Sequence, residues 1–233
     1  MPQIQFTCLI PFFNENWRLV SVLKKLNILV NSGKLKSIIC IDDGSTDNTA
    51  KLISCMFSKT IKIKVVGYKK NAGKSAAINF GLNLVKTSHV LLFDADLNSF
   101  STKSIEQALD AVYNDNKIDA LIFRQSNDPL ISKILRHDVI VSGERILKTS
   151  DLKNVFKNNP SNYQLEFVIN NYLLQHQKKT FWMPFYSKNY FKIDKWSHKI
   201  ALKKTVQFQS ELFKIQFLKQ WLFFRPKALP SIL

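Results

Sequence analysis

Two hydrophobic periods alternate through the first half of the chain. Short runs that are apolar almost throughout, Phe6 to Pro11, Ser37 to Ile41, Ile61 to Val66, His89 to Phe93 and Ile118 to Phe123, are rich in Ile, Val and Leu. Between them, Trp17 to Val30, Thr49 to Phe57, Ser75 to Val85 and Ser104 to Tyr113 carry apolar residues at helical spacing. Near-continuous apolar strands alternating with amphipathic helices predict an α/β fold, a mostly parallel sheet with helices on both faces. Asp47 and Ser101 stand where helix N-caps belong, and Gly33 lies just past the first helix, where a C-terminal glycine belongs.

The pattern changes after Arg124. Residues 125–150 are polar and punctuated by Pro129 and Gly143, and helical spacing returns at Leu152 to Lys157 and Tyr163 to Leu174. Thr180 to Tyr186 reads as a short extended stretch containing Pro184, and Lys199 to Phe224 as a C-terminal amphipathic helix. With no internal repeat and no linker, a single domain over residues 1–233 is expected. Its parts are a first half (1–124), a second half (125–198) and a basic tail (199–233).

At 233 residues with 45% hydrophobic and 22% charged positions, the chain can bury a core without staples. Charge adds more. The formal net charge is +17, and +10 of it falls between Lys178 and the end. Such a surplus expects a polyanionic partner: a nucleotide diphosphate, nucleic acid or an anionic membrane surface. Cys8, Cys40 and Cys55 show no metal or redox spacing; the first two read as buried thiols, consistent with a reducing compartment. The N-terminus does not read as a signal peptide, and no apolar run reaches the length that spans a bilayer, so a cytoplasmic protein, peripheral to a membrane at most, is expected.

In open α/β sheets, ligands bind beyond the carboxyl ends of the strands. Four successive strand ends carry polar groups here: Pro11 to Glu15 (P-F-F-N-E), Ile41 to Asp47 (I-D-D-G-S-T-D), Asn71 to Ser75 (N-A-G-K-S) and Phe93 to Asp96 (F-D-A-D). Asp94 and Asp96, one residue apart, would point to one side of an extended segment and repel each other unless a cation lay between them. Oxygen ligands of this kind suit Mg²⁺ or Mn²⁺ shared with substrate phosphates. Of Asp42 and Asp43, one is expected to contact a nucleoside while Gly44 to Asp47 build the turn. Lys74 opens a helix, where a diphosphate is favoured. The N-A-G-K-S segment is not a P-loop: the partner position holds Tyr68 rather than glycine, and no G-x-G-x-x-G follows the first strand.

In this order and spacing the four segments resemble family 2 glycosyltransferases of the GT-A (Rossmann-like) fold, closely from Ile4 to about Leu97. Ser142 to Leu152 (S-G-E-R-I-L-K-T-S-D-L) more loosely resembles the dolichyl-phosphate-sugar synthase branch, and Asn162 to Glu166 a later acidic motif. The resemblance implies roles residue by residue. Pro11, Asn14 and Glu15 would line the nucleotide pocket, and Asp42 or Asp43 would contact the nucleoside. Asn71, Gly73 and Lys74 would border the donor, and Asp94 and Asp96 would hold the metal and the sugar-nucleotide. Arg145 would contact an acceptor or phosphate, and Glu166 would be the catalytic base. Glu166 is followed by Phe167, not by the common Asp, and no Q-x-x-R-W signature of processive synthases is present, so transfer of a single sugar is expected.

The implied activity is inverting, metal-dependent transfer from a UDP- or GDP-linked sugar to a sugar, lipid-phosphate or protein acceptor. For a phosphate acceptor, Arg124, Arg136 or Arg145 would matter more than a base; a solvated Glu166 near Lys178 and Lys179 is the plain alternative. The tail, with Phe208, Leu212, Ile215, Leu218 and Leu222 in a stripe, would pack on the core, on a second copy of the chain, or on anionic lipid. A basic nucleic-acid binder is disfavoured by the acidic strand ends, and a catalytically silent GT-A partner subunit by the intact Asp94 and Asp96.

Overall fold

The computed structural model describes residues 3–126, 137–157, 165–189 and 215–224. In chain order the strands are β1 (Phe6–Phe12), β2 (Ser37–Asp43), β3 (Ile63–Tyr68), β4 (His89–Leu92), β5 (Leu97–Phe100), β6 (Ala120–Gln125), β7 (Arg145–Lys148), β8 (Thr180–Phe185) and β9 (Ser187–Asn189). The helices are α1 (Trp17–Asn31), α2 (Thr49–Met56), α3 (Lys74–Leu82), α4 (Thr102–Asn114), α5 (His137–Ile140), α6 (Thr149–Phe156), α7 (Leu165–Gln175) and α8 (Ile215–Phe224). Seven strands form one sheet in the order β3-β2-β1-β4-β7-β6-β8, and β5 pairs with β9 in a small second sheet.

Alternation along the strands divides the core between the two faces. Cys8, Ile10, Ile38, Cys40 and Leu91 join α1 and α4 on one face. Leu9, Ile39, Ile41, Val90 and Leu92 join α3, α6 and α7 on the other. Both faces are covered, which is why the strands read as continuous apolar runs. Burial pushes the Cys8 and Cys40 thiols up, so both are inert, while Cys55 is exposed. Ser101 caps α4, its Oγ accepting from the Ser104 N–H at 3.2 Å. Gly33 follows α1 at φ +79°, in the left-handed region that glycine enters at no steric cost. Asp47 accepts from the Thr49 N–H at 2.9 Å, although Asn48 holds the N-cap position of α2.

The sheet is mostly parallel, with one departure that the polar look of residues 125–150 conceals. β7 runs antiparallel to both neighbours, inserted between β4 and β6. Its reversed direction brings its first residue, Arg145, opposite Leu92 at the carboxyl edge of β4. Pro184 lies in β8, an edge strand, where its missing N–H costs least. The described part of the tail, α8, docks on the second half. Phe224 and Gln220 are buried, with Phe224 among Ile122, Val139, Ile140 and Trp182, while Leu222 stays exposed. Residues 199–214, the start of the expected tail helix, lie outside the described residues, and no described helix is long and apolar enough to cross a membrane.

At the opposite edge, His89 opens β4 and is 5% exposed. Its Nδ1 lies 3.0 Å from Ser88 Oγ and its Nε2 is buried without a hydrogen-bond partner. Burial and then the charge of Lys148 lower its pKa to about 4, against the opposing pull of Asp119 and Asp151. Between pH 6.5 and 4 the unfolded chain therefore takes up this proton before the folded one does. Stability from His89 is complete above about pH 6.5 and is lost as pH falls toward 4, on the order of 3 kcal/mol. Urea midpoints measured across that window should fall, and a His89→Leu variant should show a shallower fall. Equal slopes in the two proteins would refute the assignment.

Candidate active site

Backbone geometry brings the strand ends to one cleft. Beyond β1 the chain turns through Asn14 and Asn16 at positive φ, 56° and 45°, which Asn tolerates better than most side chains. Asn14 then ties this turn to the one after β2. Its Oδ1 accepts from the N–H groups of Thr46 (2.8 Å) and Asp47 (3.3 Å), and its own N–H donates to Ser45 Oγ at 3.0 Å. Asp42 closes the β2 turn, accepting from the Ser45 N–H at 2.8 Å. Gly44, at φ +73°, is pressed against the loop after β3; a Cβ there would lie 2.7 Å from Asn71 N.

Asp43, 3% exposed, organises that third loop. It accepts from Tyr68 Oη (2.7 Å), Asn71 Nδ2 (2.9 Å), the Ala72 N–H (2.8 Å) and the Gly73 N–H (2.8 Å). Burial, then Asp43, raises the Tyr68 phenol above its ordinary value, so it remains a donor. Sequence reasoning gave one of the two acids to a nucleoside and the turn to Gly44–Asp47. In the structure both acids take part in the turns, and the carboxylate of Asp43 is saturated by the Asn71–Gly73 loop.

The loop held by Asp43 leads directly into α3 and sets the position of Lys74. Its Nζ lies 2.8 Å from Asp94 Oδ1 and 3.1 Å from Glu166 Oε1. Burial alone would lower this ammonium, but the charges of Asp94 and Glu166 override it and hold it above its ordinary value. Asp94 and Asp96 do not lie on a strand: they follow β4 in a turn that leads at once into β5. Ala95 between them is buried, while both acids are half-buried and line the same cleft. That cleft, about 230 Å³, is bounded by Pro11, Glu15, Asp43, Lys74, Asp94 and Asp96 among others.

The segment leading into β7 contributes two residues to which the sequence assigns no role. Gly143 packs against the Lys74–Asp94 pair so closely that a Cβ would lie 2.8 Å from Nζ and 2.9 Å from Asp94 Oδ2. Glu144, 2% exposed, accepts from Gln125 Nε2 at 3.1 Å through one oxygen, while the other is buried without a hydrogen-bond partner. Burial, then the charge of Asp94, pushes this carboxyl above the usual carboxylate range. Both residues lie in the S-G-E-R segment singled out in the sequence, which assigned a role there only to Arg145.

Arg145 is wholly buried, beneath the cleft rather than in it. Its Nε and Nη2 donate to the Ser142 carbonyl and its Nη1 to Asn170 Oδ1. Asn170 in turn donates to the Ile140 carbonyl (2.8 Å) and to Gln220 Oε1 (3.2 Å), joining β7 to α7 and α8. Burial pulls the guanidinium down, while Glu166, Glu144 and Asp94 pull it up. In this structure the Arg145 guanidinium is fully enclosed and bonded to Ser142 and Asn170.

Arg124 is likewise committed, paired with Asp138 and stacked 4.7 Å over the Trp182 ring. Arg136 lies outside the described residues. Glu166 stands in the first turn of α7 and faces Lys74, whereas Lys178 pairs with Asp151 at 2.9 Å. The solvated pairing of Glu166 with Lys178 is therefore not what the structure shows.

Strand ends that gather acids and a lysine over a GT-A-like sheet agree with the comparison to known families. Residues 7–178 match the model described as Glycosyl transferase family 2. The chain belongs to this family. Glycosyl transferase family 2 relatives include the dolichyl-phosphate β-glucosyltransferase of Dictyostelium discoideum, 29% identical over 160 residues, covering 65% of this chain and 46% of that protein. The enzyme of the same name from Saccharomyces cerevisiae is 25% identical over the same shares. The chain thus spans about half the length of these curated relatives.

Among solved structures, glucosyl-3-phosphoglycerate synthase from Mycobacterium tuberculosis, crystallised with Mn²⁺, UDP-glucose and phosphoglyceric acid, superposes with a TM-score of 0.69. Identity is 15%, over 94% of this chain and 80% of that one. At that identity the likeness shows the GT-A fold.

The donor set of the cleft fits a divalent cation. Asp94 and Asp96 offer hard oxygen ligands on a half-open surface, and among the described residues no three acids, histidines or cysteines gather into an all-protein cage. Mg²⁺ and Mn²⁺ sites of this sort complete their shells with water and substrate phosphate.

Proposed function

We propose that this family 2 member transfers a single sugar, with inversion, from a nucleotide-sugar donor to a hydroxyl acceptor. The observation that carries the reading is the cleft shared by Asp94, Asp96 and Lys74, with Glu166 of α7 paired to Lys74 at 3.1 Å. Pro11, Glu15 and the turn closed by Asp42 form the nucleotide side, and Asn71, Gly73 and Lys74 border the diphosphate. Asp94 and Asp96 would hold Mg²⁺ or Mn²⁺, which when bound neutralises the leaving diphosphate as a Lewis acid. Glu166, paired to Lys74 at 3.1 Å, takes the proton of the attacking hydroxyl, and the anomeric carbon passes through an oxocarbenium-like state. Arg145, beneath, holds the negative groups in place without touching substrate.

The metal-bearing structural neighbours crystallised with UDP or UDP-glucose support this donor chemistry. A second reading follows from the relatives named dolichyl-phosphate β-glucosyltransferases: a lipid phosphate as acceptor, at a membrane surface that the basic tail would meet. Against it stand Arg124 and Arg145, both committed elsewhere.

A thermal-shift panel of UDP- and GDP-sugars with and without Mn²⁺ tests the donor, because a ligand that binds only the folded state raises its melting temperature. No shift with any nucleotide sugar would end the reading. Glu166→Gln separates the acceptors: turnover falls about 10²–10⁴-fold for a hydroxyl acceptor and changes little for a phosphate, which needs no base.

A further inference from the structure

Lys74 is the cation the described cleft already contains. It is fixed between two elements far apart in sequence: Asp94 after β4, at 2.8 Å, and Glu166 at the start of α7, at 3.1 Å. Gly143 closes the space on a third side, leaving no room for a Cβ beside Nζ and the Asp94 carboxylate. Glu144 adds a further negative charge that Lys74 feels. The ammonium is therefore placed at the carboxylates that the proposed reaction needs for other work. One is a ligand oxygen on Asp94, and the other is the proton-accepting oxygen of Glu166.

We propose that Lys74 is a resident counterion, neutralising Asp94 and Glu166 until a divalent cation displaces it from Asp94. This rests on the metal reading of Asp94 given above. A doubly charged ion on Asp94 and an ammonium at hydrogen-bond distance from the same carboxylate repel each other strongly in a half-buried site. Lys74 is also the first residue of α3, so the diphosphate that accompanies the metal gives the displaced ammonium a new partner at a helix N-terminus, where anions are favoured.

The test is Mn²⁺ binding to the protein without nucleotide, read from the electron paramagnetic resonance signal of unbound Mn²⁺. Lys74→Met should bind Mn²⁺ about tenfold more tightly than the parent protein, because a competing charge has left the ligand. Lys74→Arg, which keeps the charge, should bind as the parent does. Lys70→Met, an exposed lysine of the preceding loop, controls for the general loss of positive charge and should change affinity less than about twofold. Affinity for Lys74→Met equal to or weaker than the parent's, or matched by Lys70→Met, overturns the counterion.

Asp94→Asn, in both the parent and the Lys74→Met background, separates this failure from that of the metal reading. Mn²⁺ binding that survives Asp94→Asn removes the metal site itself. Mn²⁺ binding that is lost with Asp94→Asn but not strengthened by Lys74→Met removes the counterion alone. Thermal melts confirm that each variant is folded, and Lys74→Gln gives the same readout if the Met variant is not.

Discussion

Replacing Asp94 with Asn lowers turnover about 10²–10³-fold, the usual cost of losing one preorganised group that faces developing charge. The change is nearly isosteric, and the Asp94 side chain is 29% exposed, so the fold tolerates it. What the variant loses is charge: the neutral amide binds a divalent ion poorly and no longer opposes Lys74. Lys74 keeps Glu166 as its partner, so no buried cation is stranded. The loss should appear in kcat with a weakened dependence on Mn²⁺ concentration, while the melting temperature stays within a few degrees of the parent. Turnover within threefold of the parent would refute the role of Asp94.

Asp43→Ala has the largest expected effect on stability, about 3 kcal/mol or more, because it strands several donors at once. The Tyr68 hydroxyl, the Asn71 amide and the N–H groups of Ala72 and Gly73 all end on this carboxylate. Water can reach part of the loop, which limits the loss below the sum of separate bonds. Donor binding should weaken as well, since the same loop leads into Lys74. Asp43→Asn should not restore stability, because an amide nitrogen would face donors. Urea unfolding gives the measurement; a loss under about 1 kcal/mol would show that the loop holds its shape without Asp43.

Much of the first half was legible because burial on both faces writes a strand as an apolar run and covering helices as period-3.6 patterns. The strand ends followed from that layout, and with them the cleft. Other features were illegible for identifiable reasons. β7 has four residues, and its buried Arg145 disguises an interior strand as a polar loop. Asp94 and Asp96 share a cleft, but from a turn rather than by strand alternation, so a correct grouping came from an incomplete geometric reason. Asp42 and Asp43 were open between turn and nucleoside, because the hydrogen-bond partners of Asp43 come from residues 25 to 30 positions away. Lys74 was placed beside a diphosphate; its pairing with Glu166, 92 residues on, has no local signature. The tail stripe leaves the core, a second copy and anionic lipid all open, and a buried Gln220 bound to Asn170 and Asn171 shows that α8 is anchored by polar contacts that a hydrophobic stripe does not reveal.

The reversed strand β7 also decides how the halves depend on each other. β4 has β1 on one side and β7 on the other, and the strands β6 and β8 reach the first four only through β7. A fragment ending before β7 would present β4, an all-buried His-Val-Leu-Leu segment, as an open seam inviting intermolecular pairing. The two halves are therefore zipped by a central strand of four residues, and separating them would trade solubility for modularity.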